Sequence, residues 1–199
     1  GVGLQRSISH ANALDLGLNN LDTEFCLIID PDVHIFYTGW DSLCINALNK
    51  ESKTVVGAPY PKWKLGKVHD FPSVVFMFFK TKQIQNFNKT FYPFPKILER
   101  LWNSVLRKIT RIGTLATKKR LDNKKSLREF AHRLETTLGI TSPDTGNQII
   151  ECFRKEGYIA LNFEAKYSND LKSDGKSDLF RLAEEYEIYL YDGKPMMTH

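Results

Sequence analysis

The stretch FCLIIDPD, residues 25–32, decides the fold of this chain. Five apolar residues, two of them β-branched, end abruptly in the carboxylates Asp30 and Asp32. A short apolar run of this kind predicts a strand buried on both faces of a parallel sheet. Ligands of open α/β sheets bind at the carboxyl ends of such strands, where the two aspartates fall. Two anions on one tight turn favour a hard divalent cation between them, so we expect a metal–diphosphate site here.

The composition is that of one globular domain. The chain has 199 residues, of which 42% are hydrophobic and 26% charged, and this is enough for a substantial core. Its longest apolar run, 74–79, is far short of the ~20 residues that span a bilayer. We expect a cytoplasmic protein, because the first residues lack the apolar core of a signal peptide. The three cysteines are widely spread, which is typical of small buried hydrophobes in a reducing compartment.

Apolar periodicity predicts helices alternating with strands. A helix capped by Ser7 or Ser9 comes before the strand at Phe25. Because an α/β sheet normally opens with a strand, we expect the first strands of the domain to be missing from this sequence. A further helix is expected to begin at Pro143, with Ser142 as its cap. The remaining predictions are a helix at 39–49, strands at 54–57, 73–80, 158–163 and 187–191, and an exposed loop at 166–178.

The positive charge of the chain is concentrated in one segment. Residues 96–128 contain eleven Lys or Arg against two acidic residues, a local net charge of +9, so the rest of the chain carries −4 of the total of +5. Apolar residues recur at helical spacing over 97–112 with cations opposite them, and Gly113 is expected to end that helix. We interpret 96–138 as a basic amphipathic helical insertion within a single domain, 1–199.

Two interpretations of this insertion stay open. A helix with an apolar half and a cationic edge suits an anionic membrane surface, where each cation contributes on the order of 1 kcal/mol. Segment 96–128 would then make the protein peripheral at the membrane. The same pattern suits a helix packed on its own domain with a solvated charged rim. The segment has no recognisable DNA- or RNA-binding motif, so we expect no nucleic-acid partner.

Three pieces of the sequence, in this order, carry a resemblance to a known family. They are SHANALDLG at 9–17 with the strand and DPDV at 30–33, then PDTG at 143–146, then YDGKP at 191–195 running on to Thr198 and His199. Together they resemble the middle of a family 2 type glycosyltransferase with the GT-A fold. Such enzymes have a DxD turn after a strand, a catalytic carboxylate at a helix start and a His near the metal. The resemblance covers most of the chain outside 96–138 and implies a Rossmann-like, mostly parallel sheet flanked by helices.

The resemblance also implies a metal-dependent reaction. A sugar would pass from a nucleotide-sugar donor to a glycan, lipid-linked or protein acceptor. Asp30, Asp32 and His199 would hold Mg²⁺ or Mn²⁺, which stabilises the charge of the departing diphosphate. Asp30 would also serve the ribose, and His10 and Asn12 would lie near the nucleotide.

Asp144 is the general base that the resemblance implies. It would take the proton of the acceptor hydroxyl as that oxygen attacks the anomeric carbon, in a single displacement with inversion. A helix N-terminus would keep its carboxylate ionised. Simpler explanations exist for each residue: Asp144 as a capping carboxylate, Asp30 and Asp32 as a solvated turn, and His199 as a surface residue.

Two other functions compete with sugar transfer. A non-catalytic membrane-surface or scaffolding domain, derived from a transferase, would explain the basic insertion. A haloacid dehalogenase type phosphatase also has DxD after a buried strand. There the motif usually continues with Thr or Val two residues beyond the second Asp, where this chain has His34. The chain also lacks an evident later acidic pair of the kind that binds Mg²⁺ in those enzymes.

Overall fold

The computed structural model describes the backbone of residues 2–93, 97–112 and 115–199, and the side chains of 7–93, 101–112, 115–176 and 178–199. In this part of the chain the helices are α1 (Val2–Asn19), α2 (Trp40–Lys50), α3 (Thr81–Asn86), α4 (Ile97–Thr110), α5 (Lys118–Asn123), α6 (Lys125–Leu138), α7 (Asn147–Lys155), α8 (Ser168–Ser173) and α9 (Ser177–Glu185). The strands are β1 (Phe25–Ile29), β2 (His34–Ile35), β3 (Thr54–Ala58), β4 (Phe76–Lys80), β5 (Ile159–Asn162), β6 (Glu164–Ala165), β7 (Ile188–Tyr191) and β8 (Lys194–Thr198).

The larger sheet is mixed and not mostly parallel. Its strand order is β1-β4-β3-β5; β4 runs antiparallel to both β1 and β3, and β3 runs parallel to β5. Within the described residues β1 therefore lies at the sheet edge, with Cys26 and Ile28 buried and the residues between them only partly covered. The prediction of a strand buried on both faces of a parallel sheet is wrong, because an apolar run reports burial and not the direction of its neighbours.

Two apolar layers enclose this sheet, as expected for an α/β protein. On one face α1, α3 and α7 pack against the sheet through side chains that include Ala11, Ile84 and Phe153. On the other face lie α2 and the smaller sheet, with Leu48 and Met197 among the fully buried residues. The α/β class is confirmed, and β4 is an interior strand, as its apolar run predicted.

The smaller sheet is antiparallel, with the order β2-β8-β7-β6. The sequence analysis does not predict β8. Its pairing with β7 is irregular, because Leu190 lies opposite Pro195 whereas Tyr189 lies opposite Met197. Met196 is thus an extra residue that bulges out of the ladder.

Three helix predictions need correction. The first helix already begins at Val2, before the predicted Ser7 or Ser9 cap, and the predicted loop at 166–178 contains α8 and the start of α9. The helix predicted at Pro143 begins only at Asn147. Gly146 precedes it in the left-handed region, at φ 87°, and donates its N–H to Phe91 O at 2.8 Å. Ser and Pro are local start signals, but this tertiary hydrogen bond fixes Gly146 in a conformation that no helix can contain.

The basic insertion is helical, as predicted, and contains α4, α5 and α6. Leu121 and Ala131 pack with Trp63, Leu65 and Tyr167 in a separate apolar cluster. The helix α4 ends at Thr110, so it stops before the predicted Gly113, which lies outside the described residues. Every helix found in the described ranges is too short or too polar to cross a bilayer.

Candidate functional site

The candidate site begins at the turn that follows β1. Asp30 N donates to Val75 O at 2.9 Å and so continues the β1–β4 ladder by one residue. After the turn, β2 pairs with the end of β8, and His34 lies opposite Thr198. His199 follows directly after β8, so this pairing brings it back to the aspartate turn. Two antiparallel pairings thus join residues that are far apart in sequence.

Asp30, Asp32 and His199 come together at this turn and could jointly hold a metal ion. His199 Nε2 lies 3.5 Å from Asp30 Oδ2 and 3.4 Å from Asp32 Oδ1, and one ligand atom from each residue lies within 4.8 Å of the others. The Asp30 and His199 side chains are largely covered, while Asp32 is 73% exposed. Two carboxylates and an imidazole fit Mn²⁺ or Mg²⁺ and leave the open side for water or a substrate oxygen.

Glu187 contacts His199 through both its backbone and its side chain. The backbones of these two residues exchange hydrogen bonds of 2.8 and 3.0 Å, and His199 Nδ1 lies 3.3 Å from Glu187 Oε2. Hydrogen bonds to Asp30 and Glu187 raise the pKa of His199 to about 9. Burial works to raise the pKa of Glu187, but His199 and the ammonium of Lys64, 2.8 Å from Oε1, outweigh it and lower that pKa. The imidazole therefore sits among fixed negative charges, as ligating histidines commonly do.

Asp144 lies in the loop before α7 and is held by three donors. Tyr60 OH donates to its Oδ2 at 2.8 Å, Lys67 Nζ forms an ion pair with the same oxygen, and Thr145 N donates to Oδ1 at 2.9 Å. Burial works to raise the pKa of Asp144, but Lys67 and the hydrogen bonds outweigh it and lower that pKa. The carboxylate is ionised as predicted, yet the causes are these donors and not a position in the first helical turn.

Tyr60 connects Asp144 with the aspartate turn. Burial, the charge of Asp144 and then the charge of Asp30 raise the pKa of this phenol well above 10. The charges of both carboxylates favour the protonated phenol. The ammonium groups of Lys64 and Lys67 lie 5.7 and 4.9 Å from the centre of its ring. This part-buried side chain thus has one carboxylate and two ammonium groups as neighbours.

This arrangement lies at the carboxyl edge of the sheet. Since β4 is antiparallel to both of its neighbours, β1, β3 and β5 all point the same way. Asp30 follows β1 directly, and Tyr60 follows β3 by two residues. Just after α4, burial and the charge of Arg107 lower the pKa of Arg111, while the charge of Asp144 opposes them. The expected ligand edge of the sheet is where the charged residues meet.

A second polar group fixes the loop that carries Tyr60 and Lys67. Glu135 of α6 accepts hydrogen bonds from Gly66 N and from His69 Nε2, the latter at 3.0 Å, and its Oε2 lies 3.7 Å from His132 Nδ1. His69 Nδ1 lies 2.7 Å from Tyr60 O. Burial works to raise the pKa of Glu135, but the hydrogen bonds from both histidines outweigh it and lower it to about 2. The basic insertion thus helps to fix the loop that carries Tyr60 and Lys67.

A cavity of about 400 Å³ opens beside Tyr60. Its lining combines aromatic rings with amide, carboxylate and basic groups, and it includes Tyr60, His69, Arg128, Asn162, Tyr167 and Asp170. The guanidinium of Arg128 stacks on the ring of Tyr167 at 3.7 Å and binds both carboxylate oxygens of Asp170. One wall of the cavity is therefore rigid and polar.

The two predicted nucleotide residues lie elsewhere on the sheet. His10 and Asn12 belong to α1, which packs on the sheet through Ala11 and Leu18. Asn12 is exposed. Among the contacts of the described residues, neither side chain joins the group around Asp30. Their assignment to the nucleotide stays a prediction.

The sequence analysis missed Tyr60, Lys64, Lys67 and Glu187. A signal for Tyr60 exists, since the prolines on either side of it mark a loop directly after a predicted strand. The two lysines follow in the same loop. For Glu187 no local pattern exists, because its role depends on the hairpin register that pairs it with His199.

Comparisons of this chain with protein-family models, curated proteins and solved structures give no significant match. The resemblance to family 2 glycosyltransferases therefore rests on the three sequence motifs and stays a prediction.

Proposed function

We propose that this chain is a metal-dependent glycosyltransferase domain of the GT-A, family 2 type. One observation carries the proposal: a chain of contacts joins His199 to Asp144. Glu187 lies 3.3 Å from His199 Nδ1 and pairs with Lys64, the ammonium of Lys64 lies 5.7 Å from the centre of the Tyr60 ring, and Tyr60 OH donates to Asp144. This chain of contacts supports a single site that contains both the expected metal ligands and the expected base.

The donor's diphosphate suits the charges on this edge. Asp30, Asp32 and His199 would hold Mg²⁺ or Mn²⁺, and the ion would supply Lewis-acid stabilisation of the leaving diphosphate. Lys64 and Lys67 lie within reach of the same cleft and add positive charge for phosphate oxygens. The family resemblance implies the donor class, a nucleotide sugar.

Asp144 is the residue suited to proton transfer. It is ionised and held in place by Tyr60 and Lys67. In the proposed step the acceptor hydroxyl gives its proton to Asp144 while its oxygen bonds to the anomeric carbon, and the bond from that carbon to the diphosphate oxygen breaks, leaving its electron pair on the diphosphate. Lys67 and Tyr60 are positioning residues for this carboxylate.

The cavity beside Tyr60 is the proposed place of the acceptor. Aromatic rings with converging amide and carboxylate groups suit a polar, sugar-like molecule. Tyr60 borders this cavity and bonds Asp144, so an acceptor there would lie near the base.

Nucleotide binding and transfer can be tested separately. Asp32→Ala should abolish the rise in Tm that UDP or GDP with Mn²⁺ gives the wild type, because it removes the exposed metal ligand. Asp144→Asn should keep that rise and lower transfer by about 10²–10⁴-fold, since it removes the base alone. Asp22→Ala, in the exposed loop before β1, is the matched control. Undiminished transfer by Asp144→Asn would exclude Asp144 as the base.

A non-catalytic membrane-binding domain is the second candidate, and the exposed apolar face of α4 favours it. Retention on vesicles, together with no thermal response to either nucleotide plus Mn²⁺, would support that function instead.

A further inference from the structure

The helix α4 faces outward with its apolar side. Leu101 and Trp102 are each 63% exposed, Val105 is 53% exposed and Ile109 is 49% exposed. At 3.6 residues per turn these four side chains fall within an arc of about 100°. The side that turns inward holds Thr110, which is buried and accepts a hydrogen bond from Thr141 Oγ1 at 3.1 Å. A helix that covers the core of its own domain turns its apolar side inward, and α4 does the reverse.

Exposed cations lie on the same helix and on the helix that follows it. Arg107 and Lys108 on α4 are exposed, and so are Lys119 and Arg120 on α5. They belong to segment 96–128, whose net charge is +9. A helix that lies in a membrane interface typically combines apolar side chains, Trp among them, with exposed cations.

The same charges argue against the other occupants of an apolar face. A second copy of this chain would bring a second net charge of +9 to the same contact, and like charges oppose such pairing. An acidic protein partner would pair with the cations, but its charge would not account for the continuous face of four large apolar side chains. An anionic lipid surface satisfies both features at once.

We infer that α4 docks on an anionic membrane, with Leu101, Trp102, Val105 and Ile109 entering the acyl boundary and the surrounding cations contacting lipid headgroups. This docking does not depend on the proposed function. If the transferase proposal also holds, the hydrogen bond between Thr110 at the end of α4 and Thr141, three residues before Asp144, would keep the proposed base close to the membrane-bound helix, where a lipid-linked acceptor would be presented.

Sedimentation with vesicles tests the docking. The wild-type chain should bind vesicles of phosphatidylcholine with phosphatidylserine, and should bind phosphatidylcholine alone weakly. Trp102→Glu should lower the partition constant by at least about tenfold, because it places a carboxylate in the inserted face. Leu16→Glu is the matched control, since Leu16 is 68% exposed on α1, and it should bind like the wild type.

A fluorescence measurement locates the contact without changing the charge. Vesicles should shift the emission of the wild type to shorter wavelength, and Trp102→Phe should keep binding but lose most of this shift, since Trp63 is buried and Trp40 packs in the core. Equal binding by wild type and Trp102→Glu, a shift that persists in Trp102→Phe, or a dimer that Trp102→Glu dissolves without vesicle binding would each overturn the inference. Because neither readout uses nucleotide or metal, their failure is separate from failure of the transferase proposal.

Discussion

Glu135 of the basic insertion accepts hydrogen bonds from the loop of the site. Its carboxylate accepts from Gly66 N and His69 Nε2, and both nitrogens of His69 face acceptors, because Nδ1 lies against Tyr60 O. Burial works to lower the pKa of His69, but Glu135 and Tyr60 O outweigh it and raise that pKa. A charged pair with covered partners stabilises the native state as long as both groups are ionised.

We expect Glu135→Gln to lower the free energy of unfolding by about 2 kcal/mol at pH 6. The pKa of Glu135 is depressed from 4.5 to about 2, so its contribution is present above about pH 4.5 and is lost as the pH falls towards 2. His69 has a raised pKa, so its own contribution is present below 6.5 and is lost as the pH rises through its folded value. Urea denaturation at pH 6 and near pH 2 measures the difference between variant and wild type.

Glu129→Gln is the control for this substitution, because Glu129 is exposed on the same helix. It should change the free energy of unfolding little at either pH. A Glu135→Gln deficit that is as large near pH 2 as at pH 6 would contradict the assigned cause.

At this scale the sequence predicts Asp30, Asp32, Asp144 and His199 through motifs that stand out locally. Their partners could not be predicted in the same way. Lys67 and Glu187 are ordinary charged residues in the sequence, and only the fold brings them to a carboxylate or an imidazole.

At the scale of elements, the loop between β3 and β4 depends on one glycine. Gly66 adopts φ +77°, and its carbonyl accepts from Thr141 N at 3.1 Å and Ser142 N at 2.9 Å. A Cβ on Gly66 would collide with Thr141 Oγ1. This contact joins the loop that carries Lys67 to the loop that carries Asp144.

Gly66→Ala should therefore destabilise the fold by about 2–4 kcal/mol, from left-handed strain plus the collision. Gly175→Ala is the matched control: its φ is +73°, but a Cβ there meets nothing within 4 Å. It should cost only the strain, about 1–2 kcal/mol. Thermal and urea denaturation of both variants give the comparison, and equal losses would show that the collision with Thr141 relaxes freely.

Element positions follow from apolar periodicity, whereas strand directions do not. The runs at β1 and β4 identify strands, but whether a neighbour is parallel depends on where the loop at 59–75 returns the chain. The start of α7 shows the same limit, because the contact of Gly146 N with Phe91 O is invisible to local patterns. The apolar spacing over 97–112 indicates an amphipathic helix, but the outward orientation of the apolar side chains in the described part of α4 depends on contacts such as Thr110 with Thr141.

At the scale of the whole molecule, charge is unevenly divided. Segment 96–128 carries a net charge of +9 and the remainder −4. The positive electrostatic potential is therefore concentrated near this segment and is not spread over the whole surface. Binding to an anionic surface should therefore depend on where a lysine lies as well as on how many are present.

Cation-exchange chromatography tests this division. A variant with Lys119, Lys124 and Lys125 changed to Gln should elute at clearly lower salt than one with Lys50, Lys82 and Lys89 changed to Gln. All six lysines are exposed and both variants lose the same charge, so the comparison isolates position. Elution of both variants at one salt concentration would refute a localised field.

The bulge at Met196 determines which residue the hairpin offers to the aspartate turn. A regular ladder continued from the pair before the bulge would set Thr198 opposite Glu187 and turn His199 to the other face of the sheet, since strand side chains alternate. One extra residue thus acts as a parity switch. It sets the face of every residue from Met197 to His199, and opposite Glu187 it puts an imidazole where the regular ladder would put a hydroxyl.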